Sequence, residues 1–164
     1  MVTREELIEN VRKHKKIIRE ARAKIIDDAI SIEAMLDSIL TQFFIENGDK
    51  QNIFQFDVLA REFFTFHQKI RIFSELGLHR DPKYKDKFKG LTGKLDYIKD
   101  MRNAVAHGLP FLGEPKILYF KQKQRTLELN NLEMQKFDET IDFVLDALSE
   151  VFDDILSIKK KTNS

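Results

Sequence analysis

Between Ile8 and Phe43 the apolar residues Ile8, Val11, Ile18, Ile25, Ala29, Ile32, Leu36, Ile39 and Phe43 alternate by threes and fours, with two interruptions, at Lys15 and Arg22. That spacing is the repeat of one face of an α-helix, at about 3.6 residues per turn. Thr3 and Glu6 fit a capping box at its start, and Asn47-Gly48-Asp49 breaks the pattern at its end. The first helix is therefore predicted over residues 3–46. Both interruptions fall in the stretch that also holds Arg12, Lys13, Lys16, Arg19 and Lys24. The N-terminal half reads as a basic arm and the C-terminal half as a packing helix.

A second helix is expected over 55–76, carrying Phe56, Leu59, Phe63, Ile70 and Phe73 and ending at Glu75-Leu76-Gly77. Asp81-Pro82 marks a loop, and a short turn is expected over 83–89. The third helix is expected over 91–107. After Pro110 the texture changes to Ile117-Leu118-Tyr119-Phe120, a polar turn of Lys121 to Gln124, and Thr126-Leu127-Glu128-Leu129. Two β-rich runs so close together read as a hairpin over 116–129. Asn130 or Asn131 then caps a closing helix over 132–158, through Phe137, Ile141, Val144, Leu148, Phe152 and Ile155. The Lys159-Lys160-Lys161 tail is expected to fray. The fold class is all-α: four main helices with a small β-hairpin insertion, in a single domain over 1–164.

Composition narrows what such a bundle can do. Charged residues make up 34% and apolar ones 42%, with fourteen Phe and no Trp, which suits a soluble helical protein better than a disordered one. No apolar run approaches the ~20 residues that span a bilayer. The start, Met1 to Glu6, enters a charged amphipathic pattern instead of an apolar signal core, so a cytoplasmic protein without membrane association is expected. The absence of cysteine excludes disulfides and thiolate metal sites. A net charge of +1 supplies no global attraction to nucleic acid, so any such attraction has to be local. Di-metal carboxylate bundles use Glu-x-x-His on two helices, and no such tetrad occurs. Glycine-rich phosphate loops and Ser-His-Asp patterns are absent too. No cofactor or metal is expected.

Chemistry concentrates in Met101-Arg102-Asn103-Ala104-Val105-Ala106-His107-Gly108. On a helical wheel Leu91, Leu95, Ile98 and Val105 fall within roughly 80° of one another, and Arg102 falls inside that arc. A buried guanidinium without a partner is costly, so Arg102 should meet an acidic side chain, a facing subunit or an anionic ligand. Glu33 and Asp37, flanking the apolar seam of the first helix, are the candidate acidic partners. Pro110 stops the helix, Gly108 suits a left-handed position after its last turn, and His107 sits where the macrodipole favours a cation. Metal-free RNA cleavage needs a proton-transfer group and a cation for the phosphorane-like transition state. An imidazole exchanges protons near neutral pH, and a guanidinium grips phosphate as a fork. His107 and Arg102 fit these roles, with Asn103 orienting either one. Five residues apart, the two lie about 140° apart around a regular helix. Either the helix ends before His107, or a second copy completes the site across a two-fold axis.

This arrangement resembles the HEPN superfamily, whose members carry Arg-x(4 to 6)-His with a polar residue after the arginine, in a four-helix, often dimeric, α domain. The match is Arg102, Asn103 and His107, with the Ala-His-Gly ending. The layout also resembles it: a long first helix with Ile32-Glu33-Ala34-Met35-Leu36, an aromatic second helix, the motif helix, a hairpin and a closing helix. The resemblance implies metal-independent endoribonuclease activity, often in toxin–antitoxin or anti-phage systems, with two motifs facing each other across a homodimer. It further implies RNA as substrate and an antitoxin or nucleotidyltransferase as partner. One subgroup has a tyrosine two positions after the histidine. Leu109 stands there instead, so control by modifying that tyrosine is not carried over.

Leu95, Ile98, Arg102 and Val105 would line a central cleft. Arg12, Lys16, Arg19 and Lys24 would track RNA along the basic arm, although such a run, interleaved with Glu20 and Asp27, is most often a solvated face. The rival reading is a non-catalytic helical module that dimerises or binds a partner protein or nucleotide, with Arg102 and His107 holding the helix end. Arg61 and His67 also satisfy the bare motif. That pair lies mid-helix among phenylalanines with Glu62 after the arginine, and His67 is expected to pack in the core. His14 and His79 receive no role.

Overall fold

The long helix implied by the alternating spacing is α1, Arg4–Phe44, in a computed structural model that describes residues 3–46, 48–61, 64–77, 88–111, 114–120 and 124–162. Thr3 and Glu6 form the capping box at its start. The Thr3 backbone N–H donates to Glu6 Oε2 at 2.7 Å and the Glu6 N–H donates to Thr3 Oγ1 at 3.2 Å. Those bonds hold the Glu6 carboxyl below its usual range, the Thr3 backbone donor acting most strongly. The apolar stripe is buried only from Ile18 onward; Leu7 and Ile8 near its start and Phe43 at its end are exposed.

After α1 come α2, Gly48–Asn52, a π-helical turn, Ile53–Leu59, and α3, Phe66–Leu76. Then follow α4, Leu91–His107, a sheet of β1 (Leu109–Pro110), β2 (Lys116–Phe120) and β3 (Gln124–Glu128), and α5, Asn131–Thr162. The protein is mostly helical with a small three-stranded antiparallel sheet. None of its described helices is long and apolar enough to cross a membrane.

Several boundaries differ from expectation, each for a local reason. The single helix over 55–76 is two pieces. Thr65 starts α3 with its own capping box, accepting from Gln68 N–H at 3.3 Å while Gln68 Oε1 takes the Thr65 N–H at 2.8 Å. The break changes the phase: Phe66, Lys69, Ile70 and Phe73 are buried, whereas Phe56 and His67 are exposed, so His67 is not a core residue. Gly77 ends α3 at φ 68°, as its position after the last turn requires. The expected tail from Lys159 to Lys161 is helical, and Lys159 Nζ donates to the Ile45 carbonyl at 2.8 Å. Asn130 caps α5 by accepting the Glu133 N–H at 2.8 Å. Phe63, His79, the Asp81-Pro82 loop, residues 83–87, Asn47 and residues 121–123 lie outside the described residues.

The chain divides into two compact units, Met1–Ala29 with Ile98–Thr140, and Ile30–Tyr97 with Ile141–Ser164. In the first, Ile18, Ala21, Ile25 and Ala29 of α1, Met101, Ala104 and Val105 of α4, Ile117, Leu127 and Phe137 are buried. The expected hairpin is present, with β2 and β3 in register from Lys116↔Glu128 to Phe120↔Gln124. Lys116 Nζ lies 2.9 Å from Glu114 and 3.3 Å from Glu128. The added strand is β1, which pairs Leu109↔Leu118 and Pro110↔Ile117. Gly108, between α4 and β1, is buried but has no positive φ, so the left-handed cap expected there is absent. Its smallness matters for another reason: a Cβ would collide with the Ile117 side chain and the Ala104 carbonyl. Gly108→Ala is expected to cost about 1–3 kcal/mol by overpacking, read as a lower urea midpoint at unchanged slope. An unchanged midpoint would show that the junction has slack.

In the second unit Ile32, Leu36, Ile39 and Leu40 of α1, Ile70 and Phe73 of α3, Leu91 and Leu95 of α4, and Val144, Ala147 and Leu148 of α5 are buried. Among them sits a buried ammonium. Lys69 Nζ reaches Glu33 Oε1 at 2.8 Å and Asp37 Oδ2 at 2.9 Å with a side chain only 3% exposed. Burial raises the Asp37 carboxyl above its ordinary value, against the opposing pull of the Lys69 hydrogen bond. A carboxyl whose folded pKa exceeds its unfolded one binds its proton more tightly in the fold, so acidification through that raised value favours folding. Lys69→Met should therefore destabilise by about 3 kcal/mol near neutral pH, leaving the carboxylates buried without their cation. Urea melts should show the deficit shrinking on acidification as Asp37 takes up its proton. A deficit that grows on acidification would contradict this.

Candidate functional site

Arg102, Asn103 and His107 occupy the C-terminal half of α4, which is helical through His107 itself. The neighbouring Met101, Ala104 and Val105 anchor this part of the helix in the core. Arg102 is half-buried, and Asn103 and His107 are exposed. The Arg102 guanidinium donates from Nη1 to Asn103 Oδ1 at 3.2 Å, and it has no carboxylate within ion-pair distance among the described residues. His107 likewise has no hydrogen-bond partner among them. Because the helix does not end before His107, the two side chains leave a continuous helix on faces about 140° apart. The fold brings Arg102 and Asn103 together and leaves His107 apart from them on the same chain.

Glu33 and Asp37, expected as partners of Arg102, are bonded to Lys69 instead. The reason is the phase of α3: starting at Thr65, it buries Lys69 on the face of Phe66, Ile70 and Phe73. The central cleft expected around Arg102 is also revised. Leu95, Ile98 and Val105 are at most 1% exposed, so they are packed core and not a lining.

The basic arm is uneven. Lys24 is held 3.0 Å from Asp28 and 3.1 Å from Asp138, and these hydrogen bonds, that to Asp28 first, keep its ammonium above the ordinary lysine range. Lys16 lies 3.8 Å from Glu20 with both side chains largely in water, an arrangement worth little. Arg12 and Arg19 are exposed with no acidic partner among the described residues. Arg22, not assigned a role from the sequence, donates from Nη2 to the Gly108 carbonyl at 2.6 Å. It thereby ties α1 to the residue that follows His107. Its signal in the sequence is the interruption of the apolar stripe at Arg22. No cluster of three or more metal-ligating side chains occurs among the described residues.

No protein-family model matches the chain, and neither the curated proteins nor the solved structures yield a match.

With only the Asn103 contact at stake, Arg102→Ala should cost less than about 1 kcal/mol of stability, measured by thermal melting. A loss above about 3 kcal/mol would instead give Arg102 a structural role, that of a buried charge pair.

Proposed function

We propose that the protein is a metal-independent endoribonuclease of HEPN type, working as a homodimer in the manner of a toxin or defence effector. The observation that carries this reading is a half-buried arginine whose guanidinium has no acidic counter-charge among the described residues, beside Asn103 and five residues from an exposed imidazole. A guanidinium whose partner among the described residues is a neutral amide keeps its charge available to a phosphate. The unbroken helix keeps Arg102 and His107 of one chain on separate faces, so the second copy supplies the missing partner.

In the reaction the RNA 2′-hydroxyl attacks the adjacent phosphorus and the bond to the 5′-oxygen breaks. His107 takes the hydroxyl proton or returns one to the departing 5′-oxygen. Arg102 offsets the charge on the phosphorane-like transition state, and Asn103 orients the guanidinium. The products are a 2′,3′-cyclic phosphate, opened by water to a 3′-phosphate, and a 5′-hydroxyl. Purified protein should cut unstructured RNA in EDTA, and His107→Ala should slow the cut by about 100-fold or more. Equal cleavage by that variant would end the proposal.

The second reading, a non-catalytic helical module that dimerises or binds a partner protein or nucleotide, draws on the exposed apolar side chains Leu7, Ile8, Leu109 and Phe111 of the first unit. It expects no cleavage by either form.

A further inference from the structure

The two charged interruptions of the α1 stripe, Lys15 and Arg22, both line one cavity of about 500 Å³ in the first unit. His14 and Arg19 add two more basic side chains, and the described residues of the lining include no carboxylate. The remaining walls are apolar: Val11 and Ile18 from α1, Pro110 and Phe111 from the segment after α4. A volume of this size falls in the range of small-molecule sites, roughly 300–1,000 Å³, in which apolar walls carry a few placed polar groups.

No carboxylate pairs with these cations among the described residues. Lys15 and Arg19 have no acidic partner among the described residues. Arg22 spends Nη2 on the Gly108 carbonyl, while its Nε is buried without a hydrogen-bond partner among the described residues, as is His14 Nδ1. Each such buried polar atom costs on the order of 1–3 kcal/mol until something satisfies it. Like charges gathered around a concavity also repel one another until an anion enters. A row of cations for a solvated nucleic-acid strand would not need apolar walls on both sides. Two of these cations, Lys15 and Arg22, stand at apolar positions of the stripe, and Phe111 lines the same cavity.

We propose that this cavity binds a small amphipathic anion, its acidic head met by Lys15, Arg19 and Arg22 and its apolar body packed against Ile18 and Phe111. The head is a carboxylate or a phosphate monoester, and the body an aliphatic chain or a flat ring. The site does not depend on RNA cleavage at Arg102 and His107.

Calorimetric titration with octanoate, octyl phosphate, octanol and octylammonium tests it. Either anion should bind one per chain, with the tighter of the two identifying the head group, and octanol and octylammonium should bind at least about tenfold more weakly, a difference of about 1.4 kcal/mol. Lys15→Gln combined with Arg19→Gln, both exposed on α1, should weaken the anion about tenfold or more while leaving the thermal midpoint of the unliganded protein unchanged. Phe111→Ala should weaken both anions alike. Octanol binding as tightly as octanoate, no binding of either anion, or affinity unchanged in the double variant would each overturn the proposal. So would sedimentation showing a dimer that Phe111→Asp splits and that excludes octanoate, since a second copy would then be the occupant.

Discussion

The apolar face of α1 from Ile18 to Leu40 has to be covered, within the first unit up to Ala29 and within the second beyond it. Each Ile or Leu fully buried on it contributes about 1.5–3 kcal/mol, far more than any surface ion pair the chain contains. The face is complete through Ile25, Ile32, Leu36 and Ile39, all without measurable exposure. It fails at its N-terminal end, where Lys15 and Arg22 stand at apolar positions and Leu7 and Ile8 remain exposed. Core formation and the open, basic end of the helix are two consequences of one spacing.

Four cations fall on apolar faces of their helices, and the fold treats them differently: Lys69 is buried, Arg22 and Arg102 are half-buried and Lys15 is exposed. Lys69 is matched by two carboxylates. Arg22 receives one backbone carbonyl and keeps a buried Nε without a partner among the described residues. Arg102 receives one side-chain amide. Lys15 has no acidic partner among the described residues. A cation that the fold leaves without a counter-charge is available to an anion, so the less the fold supplies, the stronger the case for a ligand. Lys69 is in this sense finished, a structural pair. Arg102 and the Lys15–Arg22 cavity are unfinished, and both proposals concern those two places.

Gly108 and Arg22 connect these regions physically. The bare Cα of Gly108 lets the β2 residue Ile117 close against the end of α4, and its carbonyl takes the Arg22 guanidinium. The position of His107, the last residue of α4, is thus set by a contact one residue beyond it. That contact involves β2 and α1, not the motif helix alone.

Much of the local structure was legible because its causes are local. The 3–4 alternation marks α1, the Thr3–Glu6 box its start, Gly77 the end of α3, and the Leu91–His107 periodicity the motif helix. The Thr65–Gln68 box was equally present in the sequence, but the spacing of Phe56, Phe63, Ile70 and Phe73 suggests one continuous helix, and only the folded chain shows the cap prevailing. The strand Leu109–Pro110 carries no periodicity, since two residues become a strand only through pairing with β2. Partner choice was beyond sequence as well: Lys69 takes Glu33 and Asp37 across more than thirty residues, and Arg22 takes Gly108 across 86. The sequence determined where helices form and which positions hold a charge on an apolar face, because propensity, capping and period act within a few residues. Only the tertiary structure decided which of those charges is neutralised, because that depends on what distant segments bring within hydrogen-bond reach.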